Sequence, residues 1–281
     1  MIKQSAPIGV FDSGLGGISV LREIHRLLPA EQLIYIADSG HAPYGSKSTE
    51  YITQRCLQLS DFLLEQGAKM LVVACNTATA HAIDTMREQK LSVPVIGMEP
   101  AVKPAARLTQ SGVIGVLATQ QTVKSQRLQR LIHDYANGVK VVAQACPGLV
   151  EHVEKGDFAS LELKGLLADY TTPLIKQGAD VIVLGCTHYP FLAAALHEIV
   201  GPRITILETS NAVAQHVSRL LIKHELQTSA DQQGSVSFYS SKVDAVHRQS
   251  MQLLWQQSLE LDLLPSHYLT IPPQMPVPDP Q

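Results

Sequence analysis

One pattern limits what this chain can fold into more than any other: a Gln-Gly-Ala triplet, an apolar run and a closing cysteine occur twice at the same spacing. Gln66-Gly67-Ala68 leads to Cys75, Gln177-Gly178-Ala179 leads to Cys186, and equivalent positions lie 111 residues apart. Ile8-Gly9-Val10 has its own counterpart in Ile114-Gly115-Val116, at an offset of 106. A duplicated structural unit accounts for both matches.

Around these landmarks short apolar runs alternate with helix-period segments. In the first half, residues 8–11, 32–37, 70–74 and 93–98 read as strands buried on both faces, with helices over 18–28 and 51–66. In the second half, 113–117, 139–144, 181–184 and 204–207 are the strand candidates, with a helix over 160–176. Such alternation predicts βαβ units and parallel sheets, with ligand sites beyond the carboxyl ends of the strands. A chain of 281 residues exceeds the usual size of one hydrophobic core. The expectation is therefore an α/β protein of two pseudo-symmetric lobes with a cleft between them. The stretch after residue 207, with helix-period runs at 212–224 and 243–257 and a strand candidate at 235–239, has no counterpart in the first half and is expected to return to the first lobe. The predicted division is 1–99 plus 210–270 for one lobe and 100–209 for the other. Residues 271–281, rich in proline, form an expected extended or disordered end.

A formal net charge of −3 offers no basic footprint for nucleic acid. No apolar run approaches the roughly 18 residues of a membrane span, and Met1 is followed by no charged-then-apolar leader. A cytoplasmic protein is expected. Its four cysteines, Cys56, Cys75, Cys146 and Cys186, contain no CxxC pair and are expected to be free thiols.

Cys75 and Cys186 each end a predicted strand, just before residues suited to start a helix: Asn76-Thr77 and Thr187-His188. A helix N-terminus there would lower a thiol's pKa and attract carboxylates. Two thiols facing each other across a cleft suit the inversion of a carbon, which needs a base on one face and an acid on the other. The competing reading, two buried structural cysteines, fits each residue alone; the repeat favours the pair. Asp12-Ser13-Gly14-Leu15-Gly16-Gly17 follows the first strand, where backbone N–H groups can cradle a negative group, although it lacks the spacing of a dinucleotide fingerprint. Asp12 suits either tuning of a thiol, holding of an ammonium, or a helix cap. Asp38 and Pro43-Tyr44-Gly45 follow the second strand. Cys56 shares a helix face with Ile52, Leu59 and Leu63 and reads as core.

Taken together, FDSGLGG at 11–17, PYG at 43–45, ACNTATA at 74–80, EPAVKPA at 99–105 and GCTHYPFL at 185–192 resemble the glutamate racemases of the aspartate/glutamate racemase superfamily. The resemblance runs from Ile8 to about residue 210. It implies flavodoxin-like lobes, a cleft site, no cofactor, glutamate as substrate and supply of D-glutamate for peptidoglycan. By motif, Cys75 would deprotonate the D-enantiomer and Cys186 the L-enantiomer. Asp12, Ser13, Tyr44, Gly45, Asn76, Thr77, Thr187 and His188 would contact substrate, with Asp12 and His188 also assisting the thiols. Asp38 and Glu154 occupy further acidic positions, with Glu151 a rival for the latter. Oligomeric state varies among such proteins, and a homodimer is among the states the resemblance allows. Three other readings stay open: a racemase for aspartate, a zinc site on Cys75, Cys186 and His188, and a catalytically silent two-lobed binding protein.

Overall fold

The computed structural model describes residues 3–89 and 93–271. The proline-rich end beyond Ile271 lies outside them. In chain order, the first half contains β1 (Ile8–Asp12), α1 (Ile18–Leu27), β2 (Leu33–Ala37), α2 (Thr49–Glu65), β3 (Met70–Val73), α3 (Asn76–Glu88) and β4 (Val95–Ile96). The second contains α4 (Val102–Leu108), β5 (Val113–Ala118), α5 (Gln120–Lys124), α6 (Gln126–Tyr135), β6 (Lys140–Ala145), α7 (Leu149–Glu154), α8 (Leu161–Lys176), β7 (Val181–Gly185), α9 (Ala193–Val200) and β8 (Thr205–Leu207). The remainder is α10 (Ser210–Lys223), β9 (Val236–Ser240), α11 (Ala245–Trp255) and β10 (Leu261–Leu263).

Two parallel sheets result, with strand orders β10-β9-β2-β1-β3-β4 and β6-β5-β7-β8. Stripped of β9 and β10, the first sheet reads β2-β1-β3-β4, which is the order of the second strand for strand. The internal repeat of the sequence is thus a repeat of topology: β1 corresponds to β5 and β3 to β7. β9 extends the first sheet beside β2, with Leu33 opposite Val236, and α10 and α11 pack against α1.

The central strands β1, β2, β3 and β7 are buried throughout. Burial of an all-apolar strand on both faces follows from helices covering both sides of a parallel sheet. β6 departs from this expectation: as an edge strand it is only partly buried, and its Lys140 is exposed. β10 was invisible to periodicity, because it is three residues long with two of them exposed at the sheet edge. Side-chain caps fix several helix starts: Ser48 accepts from Tyr51 N–H, Ser125 from Leu128 N–H, Ser160 from Leu163 N–H and Asp244 from His247 N–H. One apolar core runs through both lobes, from Ile8 and Leu21 to Leu174 and Ile182, while separate cores fill the space under α2 and α3 and under α4 and α6. Cys56 lies in the core under α2 and α3, fully buried. Among the described residues no helix is long and apolar enough to cross a membrane.

Candidate active site

The parallel strands deliver their carboxyl ends to one cleft. Asp12 ends β1, and Cys75 follows the neighbouring β3. Thr119 follows β5, and Cys186 follows the neighbouring β7. Cys75 caps α3, its Sγ accepting from Ala78 N–H at 3.4 Å, and lies 3.6 Å from Ser13 Oγ. Ser13 Oγ in turn donates to Asp12 Oδ1 at 3.3 Å, so thiol, hydroxyl and carboxylate form a chain.

The helix start does not lower the Cys75 pKa as expected. Burial pushes this thiol well above its ordinary value, and the Asp12 charge pushes it further. Desolvation of a thiolate outweighs a bond from one N–H and the end of a helix dipole. Asp12 is itself raised by burial, against the opposing charge of His188.

Cys186 differs in its local structure. No α-helix begins there; Thr187-His188 leads into a single 3-10 turn, Tyr189–Leu192, containing Pro190. The helix dipole expected at this thiol is replaced by a side chain, since His188 Nδ1 stands 3.7 Å from Cys186 Sγ. His188 Nε2 is 2.7 Å from Glu154 Oε1. Burial alone would lower the His188 pKa, but hydrogen bonds to Cys186 and Glu154 hold it well above the ordinary value. Glu154 is kept below the usual carboxylate range because its bond to His188 and that residue's charge overcome the opposite push of burial. Gly16 N lies 3.2 Å from the same Nε2; the shorter Glu154 contact decides that Nε2 carries the proton and donates to the carboxylate. A carboxylate, an imidazolium and the Cys186 sulfur therefore stand in line on one side, with a protonated thiol on the other.

Two N–H groups of the glycine-rich loop after β1 are taken by the protein's own side chains. Leu15 N–H donates to Glu154 Oε1 at 2.6 Å and Gly17 N–H to Asp12 Oδ2 at 2.7 Å, so its donors hold two of the protein's own carboxylates. Space explains its glycines. A Cβ on Gly14 would stand 2.1 Å from Glu154 Oε1, and one on Gly16 would stand 2.3 Å from His188 Nδ1. Glu154 and His188 reach in from the second lobe, and only bare Cα atoms leave room for them. Glu151, the rival, is exposed one turn earlier on α7.

Asn76 is 4% exposed, yet among the described residues neither its amide oxygen nor its amide nitrogen has a partner. Buried polar groups without partners are rare and are what a polar ligand satisfies. Thr77 Oγ1 lies 2.8 Å from Thr119 Oγ1 and 3.2 Å from Thr122 Oγ1, joining the lobes, and Thr187 Oγ1 donates to Asp12 Oδ2 at 3.4 Å. Tyr44 points its hydroxyl into the interior, to Asp38 Oδ2 at 2.6 Å, and a Cβ on Gly45 would stand 3.0 Å from Thr119 Cβ. Asp38 does not touch either thiol: it pairs with the buried Arg55, Nη2 to Oδ1 at 2.6 Å. Thr119 was missed, although the offset of 106 that relates Ile8 to Ile114 also carries Ser13 onto Thr119. Arg55 gave no signal, since a lone arginine on an amphipathic helix reads as solvated. Among the described residues no three histidine, cysteine, aspartate or glutamate side chains stand as a metal-ligating group.

The family model for Asp/Glu/Hydantoin racemase matches residues 8–217. Glutamate racemase of Methylococcus capsulatus is 52% identical over 91% of this chain and 94% of its own length. Among solved structures, glutamate racemase of Francisella tularensis in complex with D-glutamate superposes with a TM-score of 0.82 at 27% identity, covering 93% of this chain and 98% of that one. Escherichia coli glutamate racemase in complex with L-glutamate and activator gives 0.80 at 32% identity, covering 92% and 97%. The fold, the paired cysteines and these matches over nearly the whole chain lead to one conclusion: the chain belongs to the Asp/Glu/Hydantoin racemase family.

Proposed function

We propose that the protein interconverts L-glutamate and D-glutamate without a cofactor, by two-base proton transfer between Cys186 and Cys75, and so supplies D-glutamate for peptidoglycan in the cytoplasm. The observation that carries this reading is the pair of cysteines at equivalent strand ends of two repeated lobes, each with its own polar partners. Starting from L-glutamate, the Cys186 thiolate removes the α-proton and becomes a thiol, leaving a planar carbanion. The Cys75 thiol delivers its proton to the opposite face, forming the new C–H bond and leaving a thiolate. D-glutamate reverses both transfers.

Each polar neighbour then has a task. His188, held by Glu154, sets its Nδ1 against the Cys186 sulfur that takes up and gives back the proton. Ser13 and Asp12 form the route by which Cys75 exchanges its proton. The unpartnered Asn76 amide and the first N–H groups of α3 receive a carboxylate of the substrate. Thr77, Thr187 and the Tyr44-Gly45 backbone complete the pocket.

The test is a racemisation assay on purified protein with each enantiomer of glutamate and of aspartate, followed by optical rotation. Glutamate turning over in both directions, far faster than aspartate, supports the reading. Inversion of aspartate at a comparable rate, or of neither substrate, contradicts it.

A further inference from the structure

Arg55 is the largest fully buried side chain among the described residues. Its guanidinium makes four hydrogen bonds: Nε to Asp38 Oδ2 at 3.0 Å, Nη2 to Asp38 Oδ1 at 2.6 Å, Nη1 to Gln58 Oε1 at 2.9 Å and Nη1 to the Tyr268 carbonyl at 2.9 Å. A buried ion pair is a poor device for stability alone, because desolvation of both charges consumes most of the attraction. What distinguishes this one is what it touches.

Three consecutive carbonyls near the end of the described chain are engaged by side chains of α2 and of the loop after β2. Arg55 donates to Tyr268 O, His41 Nε2 to Leu269 O at 2.9 Å, and Gln58 Nε2 to Thr270 O at 3.1 Å. His41 is fixed as the Nε2–H tautomer by this bond, leaving Nδ1 to accept from Tyr51 OH at 2.5 Å. Asp38 and His41 lie in the loop that ends in Tyr44-Gly45, and Asp38 also accepts the Tyr44 hydroxyl. Tyr44 is 1% exposed with its ring turned inward, so what it offers the cleft is backbone. The position of that backbone is decided by Asp38, and Asp38 is held by Arg55.

We propose that Arg55 is a positioning residue for the substrate loop, and that residues 268–270 form a clasp which, through Arg55, His41 and Gln58, sets the Tyr44-Gly45 backbone against Thr119 across the cleft. This rests on the glutamate-racemising reading and adds to it a specific source of substrate affinity remote from the thiols. Arg55 itself touches neither thiol, so its loss weakens binding and leaves the proton transfers in place.

Two variants of the full-length chain test it, Arg55→Lys and His41→Gln, assayed well below the melting temperature of each. Arg55→Lys keeps a cation beside Asp38 but cannot make the fork and reach Tyr268 as well. Loss of one or two such bonds predicts a KM raised about tenfold for both enantiomers in Arg55→Lys and about threefold in His41→Gln, with kcat changed less than about twofold. A lowered melting temperature with KM unchanged in folded variants means a structural role only and overturns the proposal. So does a fall in kcat at constant KM. Should Arg55→Lys not fold, His41→Gln, at a half-buried position, decides alone by the same criterion. Absence of glutamate racemisation in the unaltered protein refutes the functional reading itself, before any variant is made, and takes this proposal with it.

Discussion

His188 Nε2 stands 2.7 Å from Glu154 Oε1, and the two groups come from different parts of the second lobe to meet over the glycine loop of the first. Glu154→Gln keeps the shape and removes the charge that supports the imidazolium. Because the substrates are mirror images, their equilibrium constant is unity, and kcat/KM must fall equally in both directions for any variant. The expected fall is about tenfold to a hundredfold, the range for loss of support to one acid/base partner. Initial rates from both enantiomers check it, with kcat and the effect of α-deuteration expected to change most in the direction starting from L-glutamate.

The same pair has a pH signature. His188 is raised above its unfolded value near 6.5, so its contribution to stability is full below that value and is lost as pH climbs through the folded pKa. Glu154 is lowered from 4.5, so its contribution is full above that value and is lost as pH falls through the folded pKa. Thermal melts of the native protein and Glu154→Gln should differ most between pH 4.5 and 6.5 and converge in stronger acid.

Gly16→Ala places a methyl 2.3 Å from His188 Nδ1. The ring must move, and with it the contact to Cys186. Activity is expected to fall by about a hundredfold or more in protein that stays folded, since an overpacking cost of about 1–3 kcal/mol lowers stability without unfolding the chain. Urea unfolding and rate measurements on the same sample separate the two.

Asn76→Ala should act in opposite senses on stability and function. Removing an unpartnered buried amide stabilises the free protein by about 1 kcal/mol, while KM rises about tenfold as a hydrogen bond to a charged group is lost. Melting temperature without substrate and KM for each enantiomer are the measurements.

How far the sequence carried depends on the kind of signal. The strands buried on both faces were legible because burial leaves them uniformly apolar, and the offsets of 111 and 106 led to two sheets of the same strand order. β10 was not read, since a three-residue edge strand with two exposed positions carries little hydrophobic pattern, whereas β6, read at 139–144, lies at Lys140–Ala145 although only partly buried. In the cleft, residues adjacent to strand ends were nameable: Asp12, Ser13, Cys75, Cys186, Thr187 and His188 meet through their side chains. What could not be read was partnership. That Asp38 belongs to Arg55, and that the glycine-loop N–H groups bind Glu154 and Asp12, depends on contacts between distant segments with no local periodicity. The expectation that both thiols cap helices failed at Cys186 for a local reason, the 3-10 turn containing Pro190.

The central claim is that two thiols on opposite faces share the inversion. Cys75→Ser and Cys186→Ser, incubated separately with each glutamate enantiomer in heavy water and followed by proton NMR, test it most directly. Racemisation should fall by about a thousandfold or more in both. Residual exchange of the α-proton, where it survives, should favour L-glutamate in Cys75→Ser and D-glutamate in Cys186→Ser. Racemisation near the native rate in either variant would contradict the two-base mechanism.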